Sequence, residues 1–197
     1  LGHDTNFAAL IGSRICHDLI SPIGAINNGI ELMEMSTVAT SPEMALISQS
    51  VTNASARIRF FRIAFGAAGA QIMGRSEVVS ILKDVYADTR LDVAWAPLEG
   101  QSRRLVRLTF LALMCMETGM PYGGRIEVAL EGDDMVLKGH ADKFNIDDAL
   151  WDHLRGQPGD EALRPAHVQF GLLPVIAADT RREVQTSARD TLLTIRT

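Results

Sequence analysis

The sequence predicts an α+β protein: an antiparallel helical hairpin, then an α/β sandwich with helices on one face of a mixed sheet. Three observations predict this. Apolar residues recur every three or four positions from Phe7 to Met33 and again from Met44 to Ile72, the spacing of two long amphipathic helices. The composition turns to Gly and Ala at residues 66–74 (GAAGAQIMG), where that period ends. Beyond it, short alternating runs such as LDVAWA and RIEVAL take turns with longer apolar stretches of helical length.

Composition narrows the function classes. The chain has 197 residues, 47% hydrophobic and 22% charged, with a mean hydropathy of +0.09, which suits one or two compact domains rather than disorder. No apolar run reaches the roughly 18 residues of a membrane span. The longest, Leu105 to Met116, is interrupted by Arg107 and Thr109 and reads as a buried helix. LGHDTN offers no export signal and no initiator Met, so a trimmed start is allowed and a cytoplasmic location is expected. Cys16 and Cys115 have no metal or redox spacing, and the five histidines form no HxxxH, so a reducing compartment without a zinc site is expected. The net charge of −5 argues against broad nucleic-acid binding.

The first helix is predicted from a cap at Thr5 or Asn6 to about Met35, with apolar positions at Phe7, Leu10, Ile11, Ile15, Leu19, Ile23, Ile26, Ile30 and Met33. Pro22 lies within it, removing one backbone donor and crowding the carbonyl of Asp18, so a bend or loosened turn is expected right beside His17. Residues 36–43 make the turn, with Ser41 as cap and Pro42 at the first helical position. The second helix carries Met44, Ile47, Val51, Ala54, Ile58, Phe61, Phe65, Ala68 and Ile72, a seam of about four heptads and a rod of about 45 Å. One hairpin cannot bury a stripe on both helices, so a homodimer forming a four-helix bundle is expected, a helical-hairpin domain at 1–74 preceding an α/β domain at 75–197. A monomer whose hairpin packs on the following domain is the alternative. In the second domain the pattern predicts a helix over 77–86 capped by Ser76, a strand over 91–96 and a buried helix over 103–117. A hairpin of 125–130 and 135–139, helices over 146–154 and 166–178, and a terminal hairpin of 182–187 and 191–196 follow.

The chemistry concentrates in residues 13–33. His17 lies opposite the apolar stripe, is followed by Asp18, and has Pro22 five residues on. At about 100° per residue it shares a face with Arg14, Ser21, Gly24, Asn28 and Glu31. Ser13, Ser21, Gly24 and Ala25 are too small to cover it, so something large is expected to approach. His3, His140, His153 and His167 have no partner group at useful spacing and read as structural. Acyl transfer would need a base-oriented Ser or Cys and an oxyanion hole, and no G-x-S-x-G occurs. A neutral imidazole is a competent nucleophile toward phosphorus at pH 7, and phosphoryl transfer asks the protein mainly for positioning. Asp18 is the residue to orient the ring or take its proton.

RICHDLISPIGAINNGIEL, with its core H-D-L-x-S-P-x-G-A-I-x-N-G from His17 to Gly29, resembles the phospho-acceptor box of two-component histidine kinases. It resembles most the ChpT-type histidine phosphotransferases of alphaproteobacteria. The resemblance extends over the whole chain and implies that the second domain is a degenerate histidine-kinase ATPase domain. It departs from the kinase pattern in three places. Residues 101–124 contain no Asn to hold Mg²⁺ and phosphates, KGHADKFN stands in place of an Asp-x-Gly-x-Gly turn, and Gly171 alone stands where a glycine-rich phosphate loop would be. ATP binding and hydrolysis are therefore not expected, and no cofactor of its own is implied; Mg²⁺ would come with the partner.

The resemblance implies a phosphorelay role, in which His17 accepts phosphate from the receiver Asp of a hybrid kinase and passes it to response-regulator receivers. The known pathway of this kind uses partners called CckA, CtrA and CpdR. Arg14, Ser21, Gly24, Asn28 and Glu31 would line the docking face, and Arg59 and Arg62 of the second helix would add charge toward an acidic receiver. Two other readings stay open on the sequence: an active histidine kinase, and a non-catalytic dimerisation or scaffold module that binds response regulators.

Overall fold

The computed structural model describes residues 7–35, 42–67, 69, 71–157 and 162–197. The expected caps at Thr5, Asn6 and Ser41, the turn at 36–41 and the seam position Ala68 lie outside them. Helix α1 (Phe7–Met35) runs as one α-helix through Pro22, and α2 (Pro42–Ala64) returns beside it. The short pair β1 (Ile72–Met73) and β3 (Gln101–Ser102) flanks α3 (Arg75–Tyr86) and β2 (Leu91–Trp95). There follow α4 (Arg103–Gly119), β4 (Gly124–Glu131), β5 (Asp134–His140), α5 (Asp148–Leu154), α6 (Val168–Asp179), β6 (Gln185–Arg189) and β7 (Leu192–Arg196). The five-stranded sheet has the order β2-β4-β5-β7-β6, with β2 and β4 parallel and every other pair antiparallel.

Two faces of this sheet differ as the period-2 pattern requires. Ile126, Val128, Met135, Leu137, Leu193 and Ile195 point to the core beneath α4, which is buried along nearly its whole length. The other face is polar, with Glu131 bridging Lys138 and Arg196 while Asp134 holds Arg182 and Arg196. The β4–β5 turn needs only Gly132 and Asp133, with Gly132 at φ +65°; Asp134, which lies between the two expected strands, instead starts the strand opposite Glu131. Helix α4 is capped by the Ser102 hydroxyl, which accepts from the Leu105 amide at 3.3 Å. The interruptions in its apolar run are absorbed locally: Thr109 donates back to the Leu105 carbonyl, and Arg107 donates to the carbonyl of Ala64.

Three expectations need correction. The second helix stops at Ala64, not near Ile72, so its rod is about 35 Å long. Arg103 and Arg107 hold the carbonyls of Arg62 and Ala64 at its end, and Ile72 has become a strand residue paired with Ser102. Such a two-residue pair is too short to leave a periodic trace. Ser76 is not a cap: α3 begins at Arg75 after Gly74, with no side-chain cap bond. The seam of α2 is also divided. Phe61 is buried, with Phe60 stacked on Phe110 of α4 at 4.5 Å, so the α/β unit covers the C-terminal part. Met44, Val51 and Ile58, one heptad apart, are exposed.

This packing places the hairpin. Phe7, Ile11 and Ile15 join the α/β core, and the Arg14 guanidinium donates to the Ala166 carbonyl just before α6. His17 lies less than one turn further along α1, where the helix leaves the α/β unit.

Candidate functional site

Of the residues singled out on α1, the structure brings Arg14, His17, Asp18 and Ser21 together at one mouth. The His17 side chain is 79% exposed, whereas Asp18 beside it is only 13% exposed. The His17 Nδ1 and Asp18 Oδ1 are 3.0 Å apart. Adjacent helical side chains ordinarily diverge; here the carboxylate is drawn in because its other oxygen, Oδ2, accepts from Arg14 Nε at 2.8 Å. Arg14 is in turn anchored on Ala166. The chain of contacts from α6 to Arg14 to Asp18 to His17 is therefore continuous. An ionised carboxylate only accepts, so Nδ1 carries the proton and Nε2 keeps its lone pair. Nε2 has no partner among the described residues. The arrangement suits an imidazole held in one tautomer by Asp18, with the ring nitrogen that can act as a nucleophile turned to solvent.

The bare helix around it is equally specific. A Cβ on Gly24 would meet nothing within 4 Å, so the surface one to two turns beyond His17 is open. Gly29, further along, serves packing instead, because a Cβ there would lie 2.5 Å from Ile47 of α2. Gly24, Asn28 and Glu31 continue along α1 outside the cleft that holds His17. Arg59 pairs with Asp84 of α3 at 2.5 Å, and Arg62 is exposed with its carbonyl bound by Arg103; neither lines the cleft.

That cleft, about 560 Å³ and open to solvent, has a second wall not anticipated in the sequence: Leu46, Gln49, Ser50, Asn53 and Arg57 of α2, with Glu117 from α4 at its floor. A signal existed, since these α2 positions follow one another at helical spacing as a largely polar stripe beside the apolar one. What it lacked was the pairing of α2 with α1 and the arrival of α4. Arg57 and Glu117 face each other at 3.6 Å. Among the described residues no group of three or more His, Cys, Asp or Glu side chains is placed to hold a metal ion. Cys115 is free and buried, and burial pushes its thiol up, so it is no nucleophile.

Comparison with known proteins places the chain. The family model described as the histidine phosphotransferase C-terminal domain matches residues 75–192. The protein phosphotransferase ChpT of Brucella abortus (strain 2308) is 40% identical over 135 residues, 66% of this chain and 63% of that protein. The chain thus spans less than two thirds of that relative's length. A solved structure of a bacterial phosphotransferase superposes with a TM-score of 0.84 at 29% identity, over 100% of this chain and 97% of the other. The chain, whose residues 75–192 match that family's C-terminal domain, belongs to the histidine phosphotransferase family.

Proposed function

We propose that this chain is a phosphorelay intermediate, a phosphotransferase that works as a homodimer and without ATP. His17 Nε2 takes a phosphoryl group from the aspartyl phosphate of a hybrid-kinase receiver and passes it to the aspartate of a response-regulator receiver. The observation that carries this reading is the pairing of an exposed His17 with a shielded Asp18 at 3.0 Å. The Nε2 lone pair attacks phosphorus as the acyl phosphate bond breaks, and the Nδ1 proton stays on the ring. The ring gains positive charge as the N–P bond forms, and Asp18 is placed to meet it. The divalent metal ion and the acceptor carboxylate belong to the receiver, which is why an exposed imidazole on a rigid helix suffices on this side.

Two features support the rest. Gly171 of α6, the residue standing where a phosphate-loop glycine would be, is occupied by packing: a Cβ there would lie 2.5 Å from Leu163 and 3.0 Å from Phe7. It lets α1 and Leu163 approach α6, which supports a relay over a kinase. Ile20, Ile23 and Ile30 of α1 and Met44, Val51 and Ile58 of α2 are between 43% and 67% exposed, apolar positions at helical spacing on both rods. A second hairpin covering them makes the four-helix bundle and supports the dimer. Among the described residues no helix is long and apolar enough to cross a membrane.

The test is to mix the protein with a receiver domain charged with labelled phosphate. Acid-labile label on His17, chased by a second uncharged receiver and abolished in His17→Ala, is expected. Labelling of His17 by ATP and Mg²⁺ alone would show a kinase instead, and unimpaired phosphate flow through His17→Ala would show a scaffold.

A further inference from the structure

A phosphoryl group on an imidazole brings close to two negative charges, as on a phosphate monoester, to the mouth of the cleft. Two cations line that cleft, Arg14 and Arg57. Arg14 is committed, with Nε on Asp18 and Nη1 on the Ala166 carbonyl. Arg57 is not. Its partner among the described residues, Glu117, is 3.6 Å away, beyond hydrogen-bond length. A second loose end is the Tyr86 hydroxyl, which is buried and has no hydrogen-bond partner among the described residues. Burial first, and then the negative charge of Glu117, push the Tyr86 phenol up, so it keeps its proton and remains a donor without an acceptor. The Arg57 cation in the cleft of His17 is therefore held, among the described residues, by a long ion pair alone. One rearrangement improves on it. If Arg57 turns from Glu117 to a phosphoryl group at His17, the guanidinium gains short charge-assisted bonds and Glu117 is released.

Resting on the phosphotransfer reading, we infer that Arg57 is the phosphoryl-binding residue of the cleft and Glu117 its partner in the unphosphorylated state. The Arg57 guanidinium donates to the equatorial phosphoryl oxygens while the N–P bond to His17 forms and the bond to the receiver carboxylate breaks. The carboxylate leaves with the electron pair, and the Nδ1 proton stays facing Asp18. Arg57 transfers no proton. It meets charge that spreads over the phosphoryl oxygens in the transition state, with donors already facing the cleft.

The experiment measures labelling of His17 by two donors: phosphoramidate, which needs no docking surface, and a receiver charged with acetyl phosphate. Arg57→Gln is expected to slow both on the order of a hundredfold, the scale of losing one preorganised donor, with receiver affinity unchanged. Arg57→Lys recovers part of the rate, and Glu117→Gln, which frees Arg57, transfers at least as fast as the wild type. A folded Arg57→Gln that labels within about twofold of the wild type overturns the assignment, as does a defect seen with the receiver alone. If Arg57→Gln does not fold, Glu117→Gln decides: a loss of rate there makes the pair structural and ends the proposal. A wild-type protein that takes no label from either donor overturns the phosphotransfer reading itself, and Arg57 with it.

Discussion

The contact between His17 and Asp18 makes an unusual demand on the isosteric substitution Asp18→Asn. In the native protein Asp18 Oδ2 accepts from Arg14 Nε at 2.8 Å while Oδ1 faces His17 Nδ1 at 3.0 Å. Asparagine has one acceptor oxygen. Arg14 can only donate, so that oxygen turns to Arg14 and the amide NH₂ turns to His17. Nδ1 must then accept, the ring proton moves to Nε2, and the nucleophilic lone pair is lost from the exposed atom. The native charge-assisted contact is worth about 1.5 kcal/mol at the low end of its range, appropriate for an imidazole this exposed. The reversed contact adds about 1 kcal/mol in the wrong direction. A swing of about 2 to 2.5 kcal/mol corresponds to about 30- to 60-fold in the population of the reactive tautomer. Asp18→Ala loses only the first part and should slow transfer about tenfold. The less conservative variant is thus expected to be the more active. Labelling of His17 by phosphoramidate measures both rates, and nitrogen-15 shifts of the ring report the tautomer. Equal rates for the two variants, or a faster Asp18→Asn, would refute the reasoning.

Other parts of the molecule give expectations of their own. Ile58→Glu places a charge on the uncovered apolar face of α2 and should convert a dimer to monomer in light scattering; a wild-type protein already monomeric would sink the dimer. Phe60→Ala removes a fully buried ring stacked on Phe110, and should cost about 3–5 kcal/mol in urea unfolding, with less than about 2 kcal/mol showing that the joint collapses onto the gap. His167, beside the Arg14–Ala166 anchor, has its pKa lowered by burial first and then by Arg164. The unfolded chain therefore binds a proton there, below about pH 6.5, that the folded protein resists. Stability should fall with pH from about 6.5 down to the folded pKa, and less steeply in His167→Gln; unfolding midpoints at several pH values check this, and identical slopes in both proteins would refute it.

Much of the architecture is legible in local periodicity. Period 3.6 predicts α1, a long apolar run predicts the buried α4, and period 2 around Gly132 and Asp133-Asp134 predicts the β4–β5 hairpin, because burial imposes those patterns on adjacent residues. Length is less legible. The apolar seam of α2 continues past Ala64 on paper, but a helix ends where its last carbonyls find other donors, and those come from Arg103 and Arg107, about forty residues away in sequence. The β1–β3 pair is invisible because strands of two residues are too short to leave a periodic trace. Exposure of the apolar stripe divides similarly: Phe61 is covered by the α/β unit and Val51 and Ile58 are not, though all three look alike in the sequence.

The site divides along the same line. By itself the sequence determined that His17 faces away from the apolar stripe, that an acid follows it and that small residues leave it uncovered, since all of this depends on neighbours within two turns of one helix. Only the tertiary structure decided how Asp18 is held. Arg14 is braced on Ala166, and that brace draws the carboxylate under the ring. The tertiary structure also supplied the opposite wall, with Arg57 from α2 and Glu117 from α4 facing the cleft of a histidine on α1. Contacts between elements depend on where helices cross, and crossing is set by the packing of Phe60 on Phe110 and of Phe7 on α6, which no local pattern encodes.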